Sequence, residues 1–130
     1  MAANTSPIFP STPKTSPVTI VNADGTTKKT LLTAGANASK LDAIKVLSDD
    51  TATVTLNFYA TKSGTDYLIG TVAVTPGTGV TAGTSPAEAL EYLNDGYSMA
   101  LEAGIIIKVA AASAVTSGKT VTVIAHAGDY

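Results

Sequence analysis

The side chains able to do chemistry are few, and their spacing argues against most of it. His126 is the chain's single histidine. A serine-type triad would need a serine on a tight strand-to-helix turn and a carboxylate to orient the ring, and no G-x-S-x-G pattern occurs. A structural histidine, sharing its strand face with Thr122 and Ile124, is therefore expected. One histidine without cysteines makes no first-row metal site unless subunits pool ligands about a symmetry axis. Asp49-Asp50 is the one adjacent carboxylate pair, while Asp24, Asp66, Asp95 and Asp129 lie near glycines or in turns. Glycosidases need carboxylates on facing walls of a cleft, and calcium needs several oxygens converging on a point. These aspartates read instead as turn formers whose side chains bond nearby amides.

Two glycine-bearing strings fail as nucleotide sites. Ser117-Gly118-Lys119-Thr120 ends like a phosphate loop, but Ser113 stands where that loop needs glycine, and a strand rather than a helix follows. Gly77-Thr78-Gly79 has Ala82 at the third glycine position and reads as a connector. Tyr59, Tyr67, Tyr92 and Tyr97 suit the floor of a sugar-binding groove. Tyr59 and Tyr67 also flank one turn, where they would pair across strands.

The elements that must carry these residues are mostly strands. Val54, Leu56, Phe58 and Ala60 alternate with Thr53, Thr55, Asn57 and Tyr59, which is the period of a half-buried strand. Strands are also expected at Val18–Ala23 and Lys28–Leu32, as a hairpin closed by Asp24-Gly25, and at Leu41–Leu47, Tyr67–Thr75, Gly104–Ala110 and Lys119–Ala127. Ser85-Pro86-Ala87-Glu88 has the form of a capped helix start, with Asn94-Asp95-Gly96 as its stop after about Leu93. The expected fold is all-β: an antiparallel β-sandwich or jelly-roll-like barrel with one short helix.

Before these strands lies a Ser/Thr/Pro segment with Pro7, Pro10, Pro13 and Pro17. It buries too little to offset a backbone ordering cost of about 1–2 kcal/mol per residue, so a partner surface must order it. The division expected is an extended arm over residues 1–17 and a single sandwich domain over 18–130. Ile8 and Phe9 are the arm's apolar anchors, and Pro7, Pro10 and Pro13 keep it extended for binding a partner.

Composition agrees with a β structure made for contact. Threonine and alanine number 21 each, with no arginine or glutamine, which favours pleated surfaces over helical bundles. A net charge of −2 supplies no field for nucleic acid. No apolar run is long enough to span a membrane, and the first residues lack the basic and apolar regions of a secretory signal, so a soluble chain is expected. Neither a cofactor nor catalysis is expected.

Thr19 to Leu31 (TIVNADGTTKKTL), Ala34 to Leu41 (AGANASKL), Ser48 to Ala52 (SDDTA), and Gly118 to Val123 (GKTVTV) with the closing Gly128-Asp129-Tyr130 follow in an order that resembles small virion proteins of tailed bacteriophages. The resemblance spans about Pro17 to Tyr130. It implies a non-enzymatic β-sandwich that decorates or cements the assembled head, made in the host cytoplasm and placed on the capsid surface. It further implies the major capsid protein as partner, self-association as a homotrimer, and terminal arms crossing onto neighbours. A virion-displayed glycan- or host-surface-binding module and a tail or collar component are the alternatives.

Overall fold

A computed structural model describes residues 9–130, and in it the chain enters a strand well before the expected Val18. Strand β1 (Thr12–Val21) pairs antiparallel along its whole length with the last strand, β9 (Thr120–Asp129). Residues 12–17 therefore belong to the sandwich, which corrects the expected boundary between arm and domain after residue 17. The surface that orders these prolines is the chain's own β9. β1 tolerates Pro13 and Pro17 because it is an edge strand, where alternate amides face away from the partner. Four residues apart, the two prolines share one phase of the ladder. Pro13, Thr15, Pro17 and Thr19 point outward, while burial deepens inward from Lys14 and Ser16 through Val18 to Ile20.

The Asp24-Gly25 pair closes no hairpin. A short 3-10 turn (Asn22–Asp24) leads to β2 (Lys29–Thr33), which pairs with β8 (Ile106–Ala111) in the opposite sheet. The Asp24 carboxylate accepts from the Val21 amide at 2.8 Å and pairs with Lys29 at 2.8 Å, which fixes a turn that carries the chain across the sandwich. Leu31 and Leu32 are both buried beside a bulge, as suits a strand at a corner rather than one arm of a two-faced hairpin.

The remaining strands are β3 (Ser39–Ser48), β4 (Val54–Lys62), β5 (Thr65–Val74), β6 (Ala87–Glu88) and β7 (Met99–Leu101). The first sheet has the order β1-β9-β3-β6, with β7 also on β3; the second has the order β2-β8-β4-β5. Each is antiparallel. Ile44, Val46, Val121 and Val123 of the first sheet and Leu56, Phe58, Val72, Ile107 and Val109 of the second belong to the buried core, so the expected sandwich is the fold.

The expected helix is cut short. Ala87 and Glu88 pair with Val46 and Lys45 as β6, and helix α1 covers Leu90–Leu93 without a side-chain cap. Glu88 does not reach back to Ser85. Its carboxylate accepts from the Ile44 amide at 2.9 Å and the Leu90 amide at 3.2 Å and pairs with Lys45 at 2.9 Å, so the edge of β3 takes the residue that would have closed the cap. Asp95 and Gly96 end the helix with φ of +53° and +82°, a region that Asp tolerates and Gly adopts freely.

α1 packs on β5, where a Cβ on Gly70 would lie 2.3 Å from Leu93 Cδ2. Gly70→Val should displace Leu93 and cost roughly 1–3 kcal/mol in urea unfolding. Unchanged stability would mean that Leu93 is not wedged there.

Candidate partner-binding site

The N-terminal segment leaves the sandwich from a base tied to three parts of the fold. Pro10 lies over Gly128, where an added Cβ would come within 2.6 Å of the Pro10 Cβ, and the Ser11 amide donates to the Asp129 carbonyl at 2.9 Å. The Asp129 carboxylate pairs with Lys14 at 2.8 Å and accepts from the Ser39 hydroxyl. That hydroxyl in turn accepts from the Gly35 amide at 2.8 Å, and a Cβ at Gly35 would stand 2.8 Å from Asp129 Cγ. One carboxylate thus gathers β1, the start of β3 and the loop before it.

Beyond this base, Phe9 is 78% exposed. Of the residues expected to dock, Phe9 and Pro13 are exposed, whereas Pro10 is half-buried on Gly128 and so already engaged within the chain. Pro7 and Ile8 lie outside the described residues. Gly128→Ala should push the Pro10 ring off and speed exchange of the Ser11 amide by about tenfold through local opening. Exchange at the wild-type rate would show that Pro10 does not clamp the base.

The same side of the sandwich is stitched by side chains. Lys14 Nζ donates to the Thr33 carbonyl at 2.6 Å, Lys29 Nζ to the Thr19 carbonyl at 2.6 Å, and the Ser16 hydroxyl to the Leu31 carbonyl. Lysines and a serine so occupy backbone acceptors along the neighbouring edges of β1 and β2.

The carboxylates weighed for chemistry are held by structure. Asp50 accepts from the Ala52 amide at 2.9 Å and from the Thr116 amide and hydroxyl at 2.9 and 2.7 Å, tying the β3–β4 turn to the β8–β9 turn. Asp50 lines a cleft of about 200 Å³ together with Thr53, Thr55, Ser113 and Thr116. Asp49 accepts from the Thr120 amide at 2.7 Å. Asp66 accepts from the Thr61 hydroxyl and pairs with Lys28 at 3.0 Å and Lys108 at 3.2 Å, and Lys28 also lies 4.2 Å from the Tyr59 ring centre. Among the described residues no group of three or more His, Asp or Glu is placed to hold a metal.

These bonds favour the charged carboxylates and set a pH dependence. Hydrogen bonds from Lys29 to Asp24, from Thr116 to Asp50, from Thr61 to Asp66 and from Lys14 to Asp129 lead the causes that hold each group below its ordinary value near 3.8. Folded values below unfolded ones mean that the unfolded chain takes up protons first. The contribution is therefore complete above the unfolded value and is lost as pH falls through the folded ones. Thermal unfolding should show a midpoint unaffected by these groups from about pH 5 to 8 and falling below about pH 4. An unchanged midpoint at pH 3 would remove these contacts from the stability of the fold.

His126 is exposed on the outer face of the first sheet, opposite Thr15 and Ala43. Lys119 sits in a turn closed by its amide on the Thr116 carbonyl at 3.0 Å, and β9 follows at once. Tyr59 and Tyr67 do not face each other. The Ser63-Gly64 turn pairs Lys62 with Thr65, so Tyr59 meets Leu68 and Tyr67 meets Ala60. Tyr67 and Leu68 on β5, Tyr92 on α1 and Tyr97 on the loop after α1 are each exposed, whereas Tyr59 is half-buried. Comparisons with protein-family models, with curated proteins and with solved structures found no match.

Proposed function

We propose that this chain is a virion structural protein of a tailed bacteriophage, a decoration or cement protein that binds the assembled head lattice through its N-terminal segment. The observation that carries this reading is the anchored base: Ser11 and Lys14 are tied to Asp129, and beyond them Phe9 projects 78% exposed. A docking segment that starts from a fixed point loses less freedom on binding than one on a loose tether. A lattice repeats its binding surface, so a modest contact per copy is multiplied wherever several copies engage together. The aspartates add support, their oxygens being taken up by turn and corner bonds even at Asp50, which lines the cleft.

The test is occupancy on particles. Particles assembled with a chain lacking residues 1–9, or carrying Phe9→Ala, should retain at least about tenfold less of the protein after gradient sedimentation, as expected when an interface anchor is lost. Retention equal to wild type would remove the segment from the contact. The exposure of Tyr67, Tyr92 and Tyr97 favours a second reading, a surface that stacks on sugar rings. Binding of the isolated chain to glycans, lost on Tyr97→Ala, would favour it over the first.

A further inference from the structure

The sandwich protects its strand edges unequally. At β1, Pro13 and Pro17 remove donors, and side chains of β1 and β2 fill carbonyls along that side. At the other end of the first sheet, β6 and β7 lie along β3. β5 is the outer strand of the second sheet, and its sequence TDYLIGTVAV contains no proline or lysine. A bulge at Ile69 and the packing of Leu93 on Gly70 limit access to its second half. Thr65–Leu68 is left open.

The geometry of this stretch sets how it would pair. Ser63 and Gly64 have φ of +52° and +79°, the pattern of a two-residue turn that makes Lys62–Thr65 a hydrogen-bonded pair. The alternation of the ladder then makes Ala60–Tyr67 hydrogen-bonded as well, so the amides and carbonyls of Asp66 and Leu68 face away from β4. Tyr67 and Leu68 are 57% and 59% exposed. The one charge on β5, Asp66, is already neutralised by Lys28 and Lys108.

We propose that Thr65–Leu68 pairs antiparallel with the same segment of a second copy across a twofold axis, joining two second sheets into one. Outward-facing groups must meet outward-facing groups, so Asp66 of each copy pairs with Leu68 of the other. Tyr67 then stands opposite Tyr67 of the second copy in a non-hydrogen-bonded position, where aromatic pairs approach most closely. This register keeps carboxylate from facing carboxylate and covers the exposed Tyr67 and Leu68 on both chains. These features select a second copy as the occupant. A four-residue ladder places the contact in the weak class, below about 1,200 Å² of total buried area. The contact does not depend on what the N-terminal segment binds.

Sedimentation equilibrium of the full chain, carried to high concentration, tests the pairing. A reversible monomer–dimer equilibrium is expected, weakened at least about tenfold by Tyr67→Lys, which sets two ammonium groups face to face. Tyr67→Phe and Val80→Lys, the latter in the loop after β5, should leave the equilibrium unchanged. Exchange of the Asp66 and Leu68 amides should slow as the dimer fills. A chain that stays monomeric, an odd-numbered oligomer, or a dimer indifferent to Tyr67→Lys would overturn the proposal. So would dimers in which those two amides still exchange freely.

Discussion

A chain shortened to begin at Val18 should lose much of its stability, whereas one shortened to begin at Pro10 should keep it. The first cut removes Thr12–Pro17 from its pairing with Ile124–Asp129, together with the Ser16 bond to the Leu31 carbonyl and the Lys14 contacts. At about 1 kcal/mol net per lost hydrogen bond, and with the partner groups on β9 uncovered, the cost is roughly 3–5 kcal/mol. Domains of this size have only about 5–15 kcal/mol to lose. The midpoint should fall by roughly 10–20 °C in a circular-dichroism melt. The second cut removes only residues preceding the clamp formed by Pro10, Ser11 and Lys14. Equal midpoints for both truncations would mean that residues 12–17 are an arm after all.

Phe58→Ala should be among the most damaging single substitutions. Phe58 is fully buried, with Gly70 opposite it on β5 and Val109 opposite it on β8. Gly70 has no side chain to move into the vacated space, and Leu93, which fills the room over Gly70, belongs to a helix tied to β3 through Glu88 and the Ala89 amide. Poor collapse puts the cost at about 3–5 kcal/mol, against a smaller cost of about 1–2 kcal/mol for Phe58→Leu, which removes three carbons but leaves a branched apolar side chain in the space. Urea unfolding should show the midpoint falling with the slope preserved. A Phe58→Ala chain as stable as wild type would show that the core closes over the gap.

What the sequence disclosed follows from the range of the interactions involved. The alternation from Val54 to Phe58 and the Ser63-Gly64 turn are local, and β4 and β5 lie close to where they were expected. The Asp24-Gly25 turn also exists, but whether a turn closes a hairpin or crosses between sheets depends on strands far along the chain. Prolines normally demote a strand, and Pro13 and Pro17 are accommodated because β1 lies at an edge, which only the pairing with β9 reveals. Glu88 carries a helix-start signal that the free edge of β3 outcompetes. Asp129 reaches Ser39 ninety residues away, and neither partner carries a local sign of the bond. The candidate docking residues were legible as composition. Their anchoring was not.

The place of β9 also sets an order of events during synthesis. β9, the latest in chain order of the described strands, is an inner strand of the first sheet, lying between β1 and β3, whereas the four strands of the second sheet are complete once Ala111 has been added. While a ribosome is still adding Thr120–Asp129, β1 and β3 have no common neighbour, and the Pro-rich strand made first waits longest for its pairing. Topologies of this kind, with distant strands side by side, close in milliseconds to seconds rather than microseconds. A nascent chain would thus carry an unfinished sheet, and β1 would become fixed only once Thr120–Asp129 has been added.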